Sequence, residues 1–436
     1  MNEHTEGRRL EVGDGIEATV EKGVYRGVGL ARHQGEVVFV RRGLPGDRLL
    51  LRVVSAHTGH ATAEVETVVQ ASPSRRASPC PFFTRCGGCA YQELEYEAQL
   101  RVKEAILRET LLREGTPWEK EIPLKPSPEV GWRTRVAYHL GEEDGRPTLG
   151  LHEEQSRRVV DLPHCLQLSE AMNRTARSLV ASLDERRAWW RLIRHVHMAE
   201  SLTGDRLVLV LELGDGSLPG TGLFHDLVGV TGVGAITGRG KRRRFVLLRG
   251  DPHVEAEVHG VRLRSHVESF FQANRFLLAD LTAAVDRLTP EGGTVLDLYA
   301  GVGLFALALA PRAQRVLAAE WNRWAVEDAK VNVRRAGLEH VSVVRGAVLE
   351  SLATWPGARD ERVILDPPRT GAGAEVVRAV VTRRPEVVIY VSCDPPTLAR
   401  DLKIFAANGY RPDHVEAFDL FPDTFHLESV VRLRPS

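Results

Sequence analysis

One stretch of the sequence combines a cysteine with a turn that would expose it. The run from Val387 to Val391 is uncharged and rich in β-branched residues, Cys393 follows it closely, and Pro395 and Pro396 open a segment with helical spacing of apolar residues. Such a run is typical of a buried parallel strand, and proline is tolerated in a first helical turn. The pattern therefore predicts a strand, a short turn containing Cys393, and a helix.

This position makes Cys393 a candidate nucleophile. The unpaired amides and the dipole at a helix N-terminus favour a thiolate, so we expect the pKa of Cys393 to lie below that of an ordinary cysteine. The alternative is a buried cysteine that only fills space in the core. This stretch alone does not separate the two interpretations.

A second group of cysteines stands near the N-terminal end. Cys80, Cys86 and Cys89 are closely spaced, with two glycines between the last pair. Thiolates at this spacing converge on one point, and the glycines allow the backbone to wrap closely around a metal. A fourth thiolate is needed to close a tetrahedral site, and besides Cys393 the candidate is Cys165. Four thiolates suit either a zinc ion or an iron–sulfur cluster, and the alternative is a set of unrelated buried cysteines.

Length and composition are those of a multidomain globular protein. The 436 residues leave room for about two to four domains, with 43% apolar and 27% charged residues. Because the formal net charge is zero, a nucleic acid would have to be bound by local basic patches. The N-terminal residues contain no secretory apolar segment, so we expect a cytoplasmic protein that does not enter a membrane. Five cysteines in such a chain favour metal binding or catalysis over disulfides.

Residues 10–70 are short, strand-like runs broken by glycine, which predict a small antiparallel β-barrel. Glu21 to His60 contains seven Lys or Arg against three acidic residues. Small basic barrels commonly bind oligonucleotides, and the alternative is an ordinary solvated surface. The expected strands are Ile16 to Glu21, Val24 to Ala31, Glu36 to Val40, Arg48 to Val54 and Ala61 to Val69.

Residues 71–265 predict a central α+β domain that contains the cysteine site. Its strand-like runs include Trp132 to Leu140, and a helical run extends from Ser169 to Arg191. A helix over residues 93–114 ends at a glycine and a proline, and we expect it to pack on the C-terminal domain.

Residues 266–436 predict a doubly wound, Rossmann-like α/β domain. From Thr294 onward, strand-like and helical runs alternate, as in a parallel sheet with helices on both faces. The last two strands, Val415 to Leu420 and Glu428 to Leu433, are joined too closely for a crossover. We therefore expect them to pair antiparallel at an edge of the sheet.

A glycine-containing turn after the first strand of this domain is a candidate cofactor site. Gly301 and Gly303 follow the strand and open a helix, so a ligand could lie against the backbone there. Glu320 ends the next strand, where a carboxylate can bind ribose hydroxyls. The pattern also fits a dinucleotide fingerprint, so a dinucleotide-dependent oxidoreductase is one alternative.

Five motifs, taken together, resemble the RNA uracil-C5 methyltransferase family. They are Phe270-Phe-Gln-Ala-Asn274, Leu296-Asp-Leu-Tyr-Ala-Gly-Val-Gly303, Leu365-Asp-Pro-Pro-Arg369, Val391-Ser-Cys-Asp-Pro-Pro-Thr-Leu-Ala-Arg-Asp401 and His426-Leu-Glu-Ser429. Within residues 10–70, Gly27-Val-Gly-Leu-Ala-Arg32 and Gly43-Leu-Pro-Gly-Asp-Arg48 resemble the TRAM domain of RNA-modifying enzymes. Over nearly the whole chain, the sequence resembles the subgroup of this family that has a TRAM domain and a [4Fe-4S] cluster.

The resemblance implies roles for individual residues. It implies that Cys393 is the nucleophile and Glu428 the base. The residues implied to contact S-adenosylmethionine are Gln272, Tyr299, Gly301, Gly303, Glu320 and Asp366. The residues implied to hold the [4Fe-4S] cluster, with zinc as the alternative occupant, are Cys80, Cys86, Cys89 and Cys165.

The expected reaction is the methylation of carbon 5 of a uridine in RNA, giving 5-methyluridine. A thiolate must first add to carbon 6 because carbon 5 of uracil is itself a poor nucleophile. The resemblance favours 23S ribosomal RNA as the substrate and a monomeric enzyme, with transfer RNA as the alternative substrate. An alternative of another class is an RNA-binding protein that has no catalytic activity.

Overall fold

The N-terminal part of the computed structural model is a closed five-stranded barrel, which confirms the predicted small β-barrel. Its third and fifth strands pair in parallel, so the expectation of a wholly antiparallel barrel is wrong for that pair. The structure describes residues 9–185, 190–214 and 227–436. The barrel strands, which neighbour one another in the order β1-β2-β3-β5-β4, are β1 (Gly15–Val24), β2 (Val28–His33), β3 (Glu36–Arg41), β4 (Arg48–His57) and β5 (His60–Gln70). Alternate apolar residues of these strands fill the barrel interior, as the period of two along a strand requires.

The hairpin between β1 and β2 corrects one sequence prediction. The strand expected over Val24 to Ala31 is interrupted, because the chain reverses at Tyr25, Arg26 and Gly27. Val24 pairs with Val28, so the loop has three residues, and Arg26 and Gly27 have φ of 76° and 78°, the left-handed region that such short hairpin loops use to reverse the chain. The β-branched and aromatic residues around the turn concealed it in the sequence.

The central part is a seven-stranded sheet with one long helix on one face. In chain order this region contains α1 (Tyr96–Arg113), β6 (Leu124–Lys125), β7 (Arg135–Glu143), β8 (Arg146–His152), β9 (Val159–Asp161), α2 (Glu170–Asp184), β10 (Ile193–Glu200), β11 (Leu207–Leu213), β12 (Gly232–Thr237), β13 (Arg244–Gly250), β14 (His253–Val258) and β15 (Val261–His266). The sheet order is β13-β12-β11-β10-β7-β8-β9. Its apolar face packs against α2 and forms a separate hydrophobic core.

In this central part, the bounds of two elements differ from those predicted. The helix expected over Ser169 to Arg191 ends at Asp184, residues 186–189 lie outside the described part, and a strand begins at Ile193. The strand expected from Trp132 begins at Arg135. Strand β12 was not predicted, because its glycines weaken the strand signal.

The C-terminal part is the predicted doubly wound sheet. Its further elements are α3 (Leu278–Leu288), β16 (Thr294–Leu298), α4 (Leu304–Leu309), β17 (Arg315–Glu320), α5 (Arg323–Arg335), β18 (Val341–Arg345), α6 (Val348–Thr354), β19 (Glu361–Leu365), α7 (Gly373–Thr382), β20 (Val387–Ser392), α8 (Pro395–Ala407), β21 (Tyr410–Phe418) and β22 (Glu428–Pro435). The order is β18-β17-β16-β19-β20-β22-β21-β6. Separate hydrophobic cores cover its two faces.

The last two long strands pair antiparallel, as predicted, but they do not end the sheet. Strand β22 lies between β20 and β21, with Ser392 opposite Ser429. The short strand β6 adds to β21 in parallel. Only a few residues of β6 are extended, too few to give a strand pattern in the sequence.

Helix α1 connects the barrel to the C-terminal sheet. Leu107 and Leu111 are buried in the core on one face of that sheet, and Lys103 forms a fully buried ion pair with Asp419 at 2.6 Å. On its other side, Glu109 pairs with Lys22 of the barrel at 2.7 Å. The domain limits 10–70, 71–265 and 266–436 stay predictions.

Within the described residues, every helix is too short or too polar to cross a bilayer.

Candidate active site

The topology brings Cys393 and Glu428 to the same end of the C-terminal sheet. Cys393 follows the carboxyl end of β20, and Glu428 is the first residue of the neighbouring strand β22. Because the two strands are antiparallel and Ser392 pairs with Ser429, the end of one lies beside the start of the other. The carboxyl ends of β16, β17 and β19 meet at this same edge.

The predicted lowering of the pKa of Cys393 is wrong for the isolated protein. Burial and the carboxylates of Glu428, Asp366 and Asp394 raise the pKa of Cys393 to about 12, and Arg369 acts in the opposite direction. Negative charges near a thiol disfavour the thiolate. The thiol is therefore protonated at neutral pH before substrate binds.

The start of α8 explains why the helix does not offset these charges. The first two helical residues are Pro395 and Pro396, which have no N–H to donate. The next amide, that of Thr397, donates to the Asp394 carboxylate at 3.0 Å. The first amides of the helix are thus absent or satisfied, so none is left for the sulfur of Cys393.

Glu428 is a buried carboxyl group with unused bonding capacity. Its side chain is 1% exposed, and Oε1 has no hydrogen-bond partner among the described residues. Burial, together with the Asp366 carboxylate, holds the pKa of Glu428 well above its ordinary value, while Arg369 lowers it. A carboxyl group in this environment is suited to accepting a proton near neutral pH.

Gln272 and Asp366 lie together beside this pair. Burial raises the pKa of Asp366 to about 7, and a hydrogen bond from the Gln272 side chain opposes the shift. Deeper in the sheet, burial raises the pKa of Asp297 to about 7 although its carboxylate accepts a bond from the Ala306 amide. Perturbed carboxyl groups of this kind are typical of functional crevices.

The turn after β16 forms an open cradle. A side chain on Gly301, where φ is 55°, would meet no atom within 4 Å, so this backbone faces open space. Tyr299 adopts φ of 69°, which is costly for a tyrosine and typical of functional sites. Gly303, which caps α4, has φ of 91°, a left-handed conformation that favours glycine, and a Cβ there would lie 2.5 Å from the Leu307 Cδ1 atom.

Glu320 lies across this cradle with its carboxylate fixed. The Gly301 amide donates to Oε2 at 3.0 Å and the Asn322 amide donates to Oε1 at 2.7 Å. Each oxygen keeps a second lone pair that can accept from a ligand hydroxyl. The acceptor oxygens of Glu320 and the open space here fit the ribose of S-adenosylmethionine, with Tyr299 and Asp366 at the neighbouring strand ends.

Sequence reasoning did not assign roles to three residues around Cys393. Arg369, which is exposed, supplies positive charge to both Cys393 and Glu428. Asp401 accepts bonds from the Tyr390 hydroxyl at 2.7 Å and from the Ala372 amide at 2.8 Å. Arg369 and Asp401 each end one of the family motifs quoted above, so the sequence did contain a signal for these two residues.

The third residue, Tyr25, comes from the barrel. Its hydroxyl donates to the Asp394 carboxylate, and its ring packs edge to face against Phe425 with centroids 5.6 Å apart. Asp394 both follows Cys393 and caps α8. The barrel hairpin is thus bonded directly to the turn that holds the nucleophile candidate.

The four other cysteines also come together. All of them are free thiols, and electrostatic interactions connect Cys86 with Cys80 and Cys165, and Cys89 with Cys86 and Cys165. Burial raises the pKa of Cys86 to about 11 and holds that of Cys89 well above its ordinary value. A thiolate group here therefore needs a compensating cation or metal.

Hydrogen-bond donors already point at these sulfur atoms. The side chains of Gln92 and Gln167 donate to the Cys89 sulfur at 3.3 and 3.1 Å, and the Gly88 amide donates to Cys86 at 3.4 Å. Donors of this kind stabilise and tune metal-bound thiolates. The donor set fits a metal centre.

The fold and the crevice define an α/β methyltransferase. Residues 95–435 match the family model described as tRNA (uracil-5-)-methyltransferase. The chain belongs to this family, and it is an RNA methyltransferase that uses S-adenosylmethionine to methylate uracil at carbon 5.

Similar proteins extend over the same length. A protein described as an uncharacterized RNA methyltransferase of Aquifex aeolicus is 32% identical, covering 96% of this chain and 98% of its own. Another from Gloeobacter violaceus is 34% identical, covering 94% of each. The crystal structure of Pyrococcus abyssi tRNA (uracil-54, C5)-methyltransferase with S-adenosyl-L-homocysteine is 26% identical with a TM-score of 0.75, covering 95% of this chain and all of that one.

Proposed function

We propose that the protein methylates a uridine of 23S ribosomal RNA through a covalent adduct between Cys393 and carbon 6 of the base. The observation that carries this mechanism is the position of Cys393 beside the buried Glu428, at the edge of the sheet where the glycine cradle lies. A nucleophile and a base next to a cofactor crevice are what the two difficult steps need.

Cys393 would act first. Its thiol, which is only partly buried, loses its proton to solvent, and the sulfur adds to carbon 6, which turns the uracil ring into an enolate with electron density at carbon 5. Because the pKa of the free thiol is raised to about 12, binding of the uracil ring must favour the loss of the thiol proton. Arg369 is placed to stabilise the developing negative charge.

S-adenosylmethionine, when bound, supplies an electrophilic methyl group for carbon 5. The residues that would hold it are Gln272, Tyr299, Gly301, Gly303, Glu320 and Asp366. Glu428 would then remove the proton from carbon 5, and the C–S bond to Cys393 breaks as the double bond of the ring re-forms. The unpartnered Oε1 of Glu428 is the atom that would accept this proton.

The target uridine would have to leave its stack, because neither carbon is accessible inside a helix. The barrel, proposed to be a TRAM domain, would hold flanking RNA. Its hairpin already contacts the Cys393 turn through Tyr25, so an RNA strand bound along the barrel could reach the catalytic residues.

We further propose that Cys80, Cys86, Cys89 and Cys165 hold a [4Fe-4S] cluster rather than zinc. Four thiolates are the ligand set of such a cluster, and the side chains of Gln92 and Gln167 donate to the Cys89 sulfur. Hydrogen bonds to the sulfur atoms are typical of iron–sulfur sites. The family resemblance of the cysteine spacing favours the cluster over zinc.

The substrate is tested with labelled S-adenosylmethionine and, separately, unmodified 23S ribosomal RNA and transfer RNA. We expect ribosomal RNA to be labelled by the wild type and not by Cys393→Ala. Transfer RNA is the second candidate, because the Pyrococcus abyssi protein is named for uracil 54 of tRNA. Labelling of transfer RNA alone would overturn the ribosomal proposal and keep the mechanism.

The mechanism is tested with Glu428→Gln. Without the base the adduct cannot lose its proton, so this variant should accumulate a covalent RNA–protein complex that survives denaturation. Cys393→Ala should form none. RNA containing 5-fluorouridine should trap the wild type in the same way, and a wild type that forms no trapped complex would overturn the covalent mechanism.

We also propose that the enzyme acts as a monomer, since the described site is assembled from one chain. Light scattering of the active enzyme gives its mass directly. A mass of two chains at assay concentrations would contradict the monomer.

A further inference from the structure

A compact group of histidines lies far in sequence from the cysteines and the catalytic turn. Val196 and Met198 of β10 point into the core against α2, so His195 and His197, which alternate with them, lie on the opposite face of the sheet. Glu212 of β11 stands opposite His195 in the strand register and adds a carboxylate to the same face.

The donor atoms of these three residues converge. Nε2 of His197 lies 3.1 Å from Oε2 of Glu212, and Nδ1 of His195 lies 3.5 Å from that same oxygen. All three ligand atoms are within 4.8 Å of one another. In a tetrahedral site with bonds of 2.0 to 2.1 Å, ligand atoms lie about 3.3 Å apart, between the two distances found here.

Two further histidines lie against this group. The ring of His139 stacks on that of His152 with centroids 3.7 Å apart and meets His195 edge to face at 4.9 Å. Imidazole is the commonest side-chain ligand for metal ions, so these rings place further nitrogen atoms beside the three converging ligand atoms.

The Glu212 carboxylate indicates that this site binds a cation and not an anion. A cluster of imidazoles alone could bind a phosphate of RNA in its protonated form. Glu212 stands between His195 and His197 and would repel a phosphate, whereas it would be a ligand to a metal ion. Two nitrogens and one oxygen suit zinc and its neighbours in the first transition row.

We infer that His195, His197 and Glu212 form a binding site for a divalent transition metal ion such as Zn²⁺, distinct from the cysteine site. The ion would tie β10 to β11 on the open face of the sheet. Three protein ligands leave a coordination position for water. The side chains are 34%, 30% and 28% exposed, so an ion can enter from solvent.

The site is tested by titrating the cluster-loaded protein with Zn²⁺ in a calorimeter, in parallel with the variants His197→Gln and Glu212→Gln. We expect one ion per chain beyond any bound by cysteine, and at least about tenfold weaker binding in either variant. His259→Gln is the matched control, since His259 is exposed and contacts the backbone carbonyl of Ala279 at 3.0 Å. Its affinity should equal that of the wild type.

A second titration with Co²⁺ identifies the ligands by absorption. Nitrogen and oxygen ligands give weak visible bands, whereas thiolates add intense near-ultraviolet charge transfer. Weak bands that disappear in His197→Gln would support the site. Thiolate charge transfer, unchanged binding in both variants, or no stoichiometric uptake would each overturn it. Equal melting temperatures of metal-free wild type and Glu212→Gln show that the variant is folded.

Discussion

At the scale of single residues, the pKa of the Cys393 thiol is set by its burial and by the charged side chains around it. Three carboxylates and burial hold it protonated, so free enzyme should react with iodoacetamide slowly at pH 7. The rate at Cys393 should keep rising with pH through pH 9, because each pH unit below the pKa brings tenfold more thiolate. Mass spectrometry of the peptide containing Cys393 separates its alkylation from that of the other cysteines.

Removing one of those charges should have a measurable effect. Glu428→Gln takes a negative charge away from the sulfur, lowers the pKa of Cys393 and should raise its alkylation rate at pH 8 by up to about tenfold. Glu416→Gln, a substitution in strand β21 at a carboxylate bonded to Arg287, is the control and should change nothing. A rate that levels off near pH 7 in the wild type would contradict the raised pKa.

Asp297 provides a prediction about pH and stability. Its pKa is about 7 in the folded protein and about 3.9 in an unfolded chain. Between these values the unfolded state binds fewer protons, so stability falls as pH rises from about 4 to 7 and stays reduced above. Asp297→Asn keeps the bond from the Ala306 amide and removes the ionisation.

The variant Asp297→Asn should therefore be more stable than the wild type at pH 8, by about 1 to 4 kcal/mol. At pH 4 the difference should be small. Urea unfolding at both values measures it. A stability difference that does not change with pH would mean that the carboxyl group is already ionised in the fold.

At the scale of the elements, the hairpin between β1 and β2 is coupled to the catalytic turn through Tyr25. Tyr25→Phe removes the hydroxyl bonded to Asp394 and keeps the ring that packs on Phe425. A lost hydrogen bond of about 1 kcal/mol should lower kcat about three- to tenfold, with little change in KM for RNA.

Tyr91→Phe is the matched control for that experiment. The Tyr91 hydroxyl has no hydrogen-bond partner among the described residues, so its removal should leave kcat unchanged. If Tyr25→Phe instead raises KM alone, the hydroxyl contacts RNA and does not position the turn.

Sequence patterns predicted the strands of the C-terminal sheet well, because buried parallel strands are long apolar runs. Cys393 was identified from its place after such a run, and Glu428 from the family motif that contains it. Tyr25 was not identified, because its turn depends on the positive φ of Arg26 and Gly27, and the surrounding residues favour a strand. The pKa of Cys393 was misjudged because Pro395 and Pro396 remove the amides that a helix start normally offers.

At the scale of the whole molecule, α1 is anchored to the C-terminal sheet by an ion pair in the core. Lys103 and Asp419 are both inaccessible to solvent and lie 2.6 Å apart. Lys103→Met should destabilise the protein by about 3 to 5 kcal/mol, because it leaves a buried carboxylate without its cation. Denaturant unfolding measures the loss.

Two comparisons make that result specific. The double variant Lys103→Met/Asp419→Leu should recover most of the stability, since no charge is left buried. Lys125→Met breaks an exposed pair with Asp280 and should cost no more than about 1 kcal/mol. Equal losses in Lys103→Met and Lys125→Met would mean that solvent reaches the inner pair.

The insertion of β22 between β20 and β21 also sets an order of events in biosynthesis. Cys393 and the whole glycine cradle precede Glu428 in the chain, and β22 pairs with both β20 and β21. Its pairing with β20 has to close the segment that contains α8 and β21, and such long-range pairing forms slowly. A nascent chain that has folded its cradle therefore has the proposed nucleophile without the proposed base, and it gains both only when β22 joins the sheet.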